Sequence, residues 1–303
     1  MSYKEDQRRK IVGLRDKIFN DPGNGIYQGR QRDFVLLNPT LNLWEGIRQD
    51  AIDYFKKNEI MWWPGQPEIP TGHLLSSQVS CVNHLFFVRN NKDMATQILS
   101  AIDSGVDEAC IVDNGYVEFE FIGERQYIKE RAFTRGANCT SVDAVMIGLK
   151  ADGTRKMFLI EWKYVESYSI QDKYKEARSV LYDGLILAKD SPYKHNIDLR
   201  TFYFEPFYQL MRQTLLADQC VKNADHNVSS YMHLHIVPES NIDLKNNITS
   251  PNLKGTDIHD AWKSLLKDSA NFKAITPENF LEPIVKLIET KTIIAYLKNR
   301  YWD

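Results

Sequence analysis

Two apolar segments joined by a short turn, at 141–149 (SVDAVMIGL) and 156–163 (KMFLIEWK), constrain this chain more than any other feature of its sequence. Both read as strands. Each carries polar groups within its apolar run, and burying an unpaired charge is costly enough that such groups are rare unless something is gained by them. Asp143 interrupts Val142-Ala144-Val145-Met146-Ile147, while Glu161 and Lys163 end the run Met157-Phe158-Leu159-Ile160. Residues i and i+2 of a strand share a face, so Glu161 and Lys163 project together and Trp162 points away.

Whether Asp143 joins that face depends on the turn. A two-residue loop at Asp152-Gly153 makes paired residue numbers sum to 305 and sets Asp143 opposite Trp162. A three-residue loop, Ala151-Asp152-Gly153, makes the sum 304 and sets Asp143 opposite Glu161, about 5 Å away between Cβ atoms. The longer loop commonly forms a type I turn followed by a left-handed residue, which Gly153 supplies without steric cost. The sequence therefore favours the second register.

Two carboxylates at that separation repel, and together they make a hard-oxygen site for Mg²⁺ or Mn²⁺. Magnesium keeps several waters and substrate phosphate oxygens beside a few carboxylates, so two strand acids suit it. The adjacent Lys163 ammonium is placed to orient or help deprotonate an attacking water and to offset charge as phosphorus is attacked. Acid pair and lysine are thus the inventory for metal-assisted phosphodiester hydrolysis. An acid two residues before a lysine recurs at Asp243/Lys245 and Glu289/Lys291, in an Asn- and Pro-rich loop and an amphipathic helix. Glu161/Lys163 alone sits in an apolar strand preceded by an aspartate-bearing strand and a turn. The competing reading is an edge hairpin with a surface ion pair.

The 303 residues are 43% hydrophobic, 12% aromatic and 26% charged, which supports a sizeable core and excludes a wholly disordered chain. No segment approaches the roughly 20 uninterrupted apolar residues that a bilayer crossing needs, and the opening MSYKEDQRRK lacks the apolar run of a secretory signal. Cys81, Cys110, Cys139 and Cys220 stand singly, without CxxC or Cys/His clustering. That argues against a zinc site and fits free thiols in a reducing compartment. The reading is of a soluble cytoplasmic protein with no membrane segment, and the Asn-x-Ser/Thr sequences at Asn138, Asn227 and Asn247 are then chance matches. A net charge of −2 lacks the basic excess of proteins that hold phosphates by mass electrostatics. A nucleic-acid partner must be read from local features. Residues 1–33 carry eight basic against five acidic side chains (8 − 5 = +3), for which a solvated amphipathic helix is the simpler explanation.

Along the chain, helices fit 3–19 and 41–58, with a turn at Asn20-Asp21-Pro22-Gly23-Asn24-Gly25 between them and Trp62-Trp63-Pro64-Gly65 after the second. Residues 73–103 read as one helix, or two interrupted at Asn90-Asn91. At 117–122 the period changes: Val117, Phe119 and Phe121 alternate with Glu118, Glu120 and Ile122, a strand signal. After the two apolar strands come helices at 171–189 and 205–221, a short strand at 233–237, and two helices over 257–303. The second of these opens at Thr276-Pro277-Glu278, a cap followed by proline at the first helical position. The organisation is a helical N-terminal arm (1–72), an α/β core (73–240) and a helical C-terminal tail packed on it (241–303).

Asp143 with Glu161-Trp162-Lys163 resembles the signature of the PD-(D/E)XK nuclease superfamily, whose core runs helix, three-strand meander, helix, strand. The elements at 73–90, 117–122, 141–149, 156–163, 171–189 and 232–237 follow that order, over roughly the middle half of the chain. More loosely, Ser76-Ser77-Gln78 with Asn83, and Tyr208-Gln209-Leu210-Met211-Arg212-Gln213, resemble a bacterial branch of restriction endonucleases. The resemblance implies a restriction-endonuclease-like α/β fold with helical extensions at both ends. It implies Mg²⁺ (or Mn²⁺) held by Asp143 and Glu161, Lys163 serving the attacking water, and hydrolysis of DNA to 5′-phosphate ends. Residues before 60 and after 250 would clasp DNA or build a homodimer, since cutting both strands commonly needs two sites. Two departures matter. The superfamily's proline before the aspartate is Val142, and the metal-binding glutamate many members carry on the first core helix is replaced by Gln78, a neutral and weaker ligand. Alternatives are a catalytically silent DNA-binding or assembly module of the same fold, and a metal-dependent phosphoesterase on small nucleotides.

Other residues are candidates on weaker grounds. Glu118 and Glu120 share a strand face, and Glu120 is an accessory ligand candidate beside Gln78. Glu166 follows Lys163 by three residues and reads as a loop carboxylate. Gln209 and Arg212 fall on one side of a helix and are placed to hold a phosphate, the arginine bidentately. His233 and His235 share a strand face, without a third ligand of matching type. Trp62-Trp63 offers base stacking or a buried loop anchor, and Tyr164, Tyr168 and Tyr174 offer substrate contact or core packing. The sequence contains no Gly-rich phosphate loop and no Ser or Cys nucleophile motif.

Overall fold

The computed structural model describes residues 1–64 and 67–302, so Gly65 of the expected turn at 62–65 lies outside the described residues. In chain order the elements are α1 (Tyr3–Ile18), the β1–β2 hairpin (Gly25–Tyr27, Arg30–Arg32), α2 (Arg48–Lys57), α3 (Ser77–Leu85) and α4 (Lys92–Ile102). Then follow β3 (Val106–Cys110), β4 (Glu118–Phe121), α5 (Arg125–Ile128), β5 (Val142–Lys150), β6 (Arg155–Trp162), α6 (Glu176–Leu187), α7 (Phe207–Lys222) and β7 (Val228–Ile236). The chain closes with α8 (Ile242–Lys245), α9 (Ile258–Lys263), β8 (Phe272–Ile275), α10 (Pro277–Leu281) and α11 (Lys291–Arg300).

Local chemistry sets several of these boundaries. Ser2 and Glu5 close α1 with a reciprocal capping box. The apolar pattern over 73–103 is two helices because Asn91 caps a new one, its side chain accepting from the Met94 amide at 3.0 Å. The helix expected at 41–58 begins only at Arg48. A 3₁₀ turn occupies Pro39–Asn42, and the Trp44 amide donates to Asn83 Oδ1 at 2.8 Å rather than into a helix. Thr276 caps α10 as its sequence indicates, accepting from the Asn279 amide at 3.1 Å.

The β5–β6 hairpin adopts the three-residue loop. Paired residues run from Leu149 with Arg155 to Ala144 with Ile160. The Gly153 amide donates to the Lys150 carbonyl at 2.9 Å and the Lys150 amide to the Thr154 carbonyl at 2.9 Å, with Gly153 at φ +80°, the left-handed region that glycine enters freely. β3 and β4 both pair antiparallel with β5, β3 along its C-terminal half and β4 along its N-terminal half, so the first meander strand comes in two pieces. β7 lies parallel to β6, and β8 parallel to β7.

Alternate residues of this mixed sheet feed two cores. Ala144, Met146, Phe158, Ile160 and Trp162 pack with α3, α4 and α11. Val145, Ile147, Met157 and Leu159 pack with α6, α7 and α9. Burial of this kind is the main stabilising term for a sheet covered on both faces.

The sequence reading needs correction at three further places. The N-terminal arm is not wholly helical, since it carries the β1–β2 hairpin. Residues 272–275, expected as helix, form the edge strand β8. β7 starts at Val228, five residues before the strand expected at 233. The four cysteines are free thiols, and no helix among the described residues is long and apolar enough to cross a membrane.

Candidate active site

Asp143 stands near the start of β5 and Glu161 near the end of β6, at the open end of the hairpin. The register carries Asp143 to the level of Glu161, and the Trp162 amide donates to Asp143 Oδ2 at 2.6 Å. Trp162 itself points into the opposite core, 1% exposed, with its indole N–H on Ser80 Oγ at 3.1 Å. That anchor leaves Glu161 and Lys163 on the face shared with Asp143. The Lys163 amide donates to the Ile236 carbonyl at 2.8 Å, which extends the β6–β7 pairing to the lysine.

Asp143, Glu161, Lys163, Glu120, Gln78, Glu166 and Gln209 line one cavity of about 430 Å³. Lys163 Nζ donates to Glu161 Oε1 and to Gln209 Oε1, each at 2.6 Å. Glu161 Oε2 accepts from Gln213 Nε2, which also donates to the Ser141 carbonyl at 2.8 Å. Gln209 and Gln213, one turn apart on α7, thus clamp the lysine and the glutamate from the same helix face.

Glu120 reaches the site through a break in strand alternation. Its backbone is left-handed, at φ +50°, an uncommon state for a non-glycine residue and one found at functional sites. On either side of it Phe119 and Phe121 enter opposite cores. Glu120 accepts from Gln78 Nε2 at 2.8 Å and from Ser141 Oγ at 3.3 Å. Glu118, expected on the same face, pairs instead with Arg135 at 3.2 Å. Gln78 sits where the sequence puts it, on the first core helix, but both ends of its amide are engaged: Oε1 accepts from the Trp63 amide at 2.7 Å and Nε2 also donates to the Met61 carbonyl at 3.0 Å.

Charge and burial act together here. Burial, then the charges of Glu161 and Glu120, push the Asp143 carboxyl well above its usual range, against the opposing pull of Lys163 and the Trp162 amide. Burial and the Glu161 charge push Glu120 up to about 7, although Gln78 and Ser141 favour its ionised form. Burial disfavours the Lys163 ammonium, but Glu161, Tyr168, Glu166 and Asp143 outweigh it and hold its pKa well above the ordinary value.

Among the described residues, no three His, Cys, Asp or Glu side chains form a ready-made metal cage. The donor set fits a more open arrangement. Asp143 Oδ1 makes no hydrogen bond among the described residues, and crowded carboxylates that repel one another are relieved by a hard divalent cation. The residues able to hold such an ion are Asp143 and Glu161, with Glu120 beside them.

The other candidates separate clearly. Arg212 does not line this cavity. It stacks on Tyr208 (4.7 Å) and donates to Thr140 Oγ1 at 3.2 Å, facing a neighbouring cavity with Arg178 and Glu130. Glu166 accepts from Ser77 Oγ and, at 2.7 Å, from the Tyr164 amide. His235 pairs with Glu161 across β6 and β7, but neither it nor His233 lines the cavity; their rings lie on His259 and Thr214 respectively, at 3.0 Å each. Burial holds His233 down at about 3 and His235 well below its ordinary value. Trp62 is the buried anchor, stacked on Phe55 at 3.7 Å; Trp63 lines the cavity. Tyr168 lies 5.9 Å from Lys163 Nζ, whereas Tyr164 and Tyr174 pack against Tyr301 and Tyr203. Gln213 escaped sequence reasoning as a site residue; its position one helical turn after Gln209 was the available signal.

A family model described as Restriction Endonuclease associating with ARP matches residues 15–302. No curated protein and no solved structure matches the chain.

Proposed function

Since the chain belongs to the family Restriction Endonuclease associating with ARP, we propose that it is a metal-dependent deoxyribonuclease of the PD-(D/E)XK type. The observation that carries this reading is the convergence of Asp143, Glu161, Glu120 and Lys163 on one cavity from three adjacent strands. Asp143 and Glu161 would hold Mg²⁺ or Mn²⁺. When bound, the ion supplies Lewis-acid polarisation of the scissile phosphate and makes water a better nucleophile near neutral pH.

The chain's own groups do the rest. Lys163 keeps its proton, because its pKa stands well above the ordinary value, so its part is to offset the negative charge that builds on the phosphate oxygens as water attacks phosphorus. Glu161 and Gln209 fix its Nζ from two sides. Gln213 holds Glu161, and Gln78 and Ser141 hold Glu120, which leaves little reorganisation for the attack itself. The family description also names ARP as the associating partner, and the same proposal gives this chain that partner.

The test is incubation of the protein and its Lys163→Ala variant with plasmid and with linear single-stranded DNA, under Mg²⁺, Mn²⁺ or EDTA. Cutting that EDTA and Lys163→Ala both abolish supports the reading. DNA binding without cutting, or turnover of small nucleotides alone, would replace it with one of the alternatives.

A further inference from the structure

The cavity has one wall that hydrolysis does not use. Trp63 leaves 39% of its surface exposed there, although its neighbour Trp62 is fully buried. Tyr27 of the β1–β2 hairpin lies beside it, ring centroids 5.8 Å apart and tilted by 38°. His73 closes the group edge-on, 5.5 Å from Trp63 and 4.8 Å from Tyr27, and Lys4 of α1 lines the same cavity. The indole is indexed to the acids. Gln78 takes the Trp63 amide on its oxygen at 2.7 Å and gives its nitrogen to Glu120 at 2.8 Å, so one side chain fixes the distance from the aromatic wall to the carboxylate floor.

We infer that Trp63 and Tyr27 form a stacking subsite for an unpaired base whose phosphate reaches the acids, which makes the substrate single-stranded or locally opened DNA. This rests on the nuclease reading above. Stacking on an aromatic face needs a base whose own face is free, and in duplex DNA those faces are already taken by neighbouring bases. The cavity volume of 430 Å³ lies in the range of small-ligand sites, roughly 300–1,000 Å³, which is the scale of a nucleotide and not of a duplex. A base and its phosphate are matched by what the walls offer: flat π-faces beside a lysine at the rim, acids and an ammonium at the floor. Because every base has a π-face, the subsite reads no sequence.

Three substrates of equal length separate the possibilities: a single-stranded dT oligomer, a blunt dT·dA duplex, and an oligomer of abasic deoxyribose phosphates. With Mg²⁺ or Mn²⁺, Trp63→Ala is expected to lower kcat/KM on the dT oligomer roughly 5- to 150-fold, the span of stacking one base on an aromatic side chain. Trp63→Phe retains most of the rate. On the abasic oligomer, wild type and Trp63→Ala are expected to be equal. In a second measurement, Asp143→Asn protein binds a single strand carrying 2-aminopurine, whose fluorescence reports its stacking, and Trp63→Ala added to that variant removes the signal change. If Trp63→Ala does not fold by circular dichroism, Tyr27→Ala on the surface hairpin carries the same expectation. Equal cutting of duplex and single strand, unchanged by Trp63→Ala or Tyr27→Ala, overturns the inference and leaves the nuclease reading standing. If wild type cuts no DNA, the nuclease reading fails, and an unchanged 2-aminopurine signal would remove the stacking subsite as well.

Discussion

Glu120 offers the most quantitative test of how the acids are held. Its carboxyl is pushed from about 4.5 to about 7 by burial and by the Glu161 charge. A carboxyl whose pKa is higher in the folded state keeps a proton that the unfolded chain has already lost. Its contribution to stability therefore falls as pH rises from 4.5 to 7 and levels off above that. A rise of about 2.5 units corresponds to about 3 kcal/mol at 1.36 kcal/mol per unit. Glu120→Gln removes the titration and keeps the shape.

Urea unfolding with EDTA present, at half-unit steps from pH 4 to 8, should give near-equal stabilities for the two proteins at pH 4. The variant should gain up to about 3 kcal/mol by pH 8. In a chain of 303 residues, at ~2.1 cal/mol/K per residue, that is about 5 °C in Tm. Buried His73, His84, His233 and His259, all held below their ordinary pKa, weaken both proteins below pH 6.5 and cancel in the difference. Excess Mg²⁺ should narrow the gap by stabilising the ionised wild type through mass action. A difference that is flat with pH, or that shrinks toward pH 8, refutes the reasoning.

Three further outcomes follow from the packing around the site. Gln213→Leu leaves Glu161 Oε2 and the Ser141 carbonyl without their donor and should cut the cleavage rate roughly 10- to 100-fold, at a stability cost of about 1–3 kcal/mol by urea unfolding. Gly153→Val places a β-branched residue at φ +80°, where a side chain would meet nothing within 4 Å. The loss should be purely conformational, about 1–2 kcal/mol, with Gly153→Asn losing less. Trp62→Ala empties a fully buried indole slot stacked on Phe55 and should cost about 3–5 kcal/mol in the same assay.

How far the sequence revealed this arrangement depends on the range of the interactions involved. The β5–β6 register was legible because it is local: Gly153 selects the turn, and the period of two carries Asp143, Glu161 and Lys163 onto one face. The helix start at Thr276 was legible for the same reason, and Asn90-Asn91 was legible as an interruption though not as the cap of a new helix. β8 was not, since four residues (FKAI) flanked by a turn and a helix cap form a strand only through parallel pairing with β7, some forty positions away. β3 (VDEAC) is short and carries two acids in five residues, so nothing in its own composition outweighs a loop. Glu120 was placed on the right strand but beside Glu118, because alternation carries no sign of the left-handed residue that separates them. Arg212 shares a helix side with Gln209, yet its stack on Tyr208 and its bond to Thr140 take it to a different cavity. Helical spacing gives the side, and the neighbours give the destination.

The measurement that bears most directly on the whole account is the single-turnover rate of DNA cleavage as Mn²⁺ is titrated into metal-stripped wild-type and Asp143→Asn protein. A wild-type rate that rises from zero and saturates with Mn²⁺, and an Asp143→Asn rate that stays at least 100-fold lower across the titration, is the predicted result, equivalent to about 3 kcal/mol at the transition state. Cleavage by Asp143→Asn at the wild-type rate, or wild-type cleavage indifferent to Mn²⁺, would contradict it.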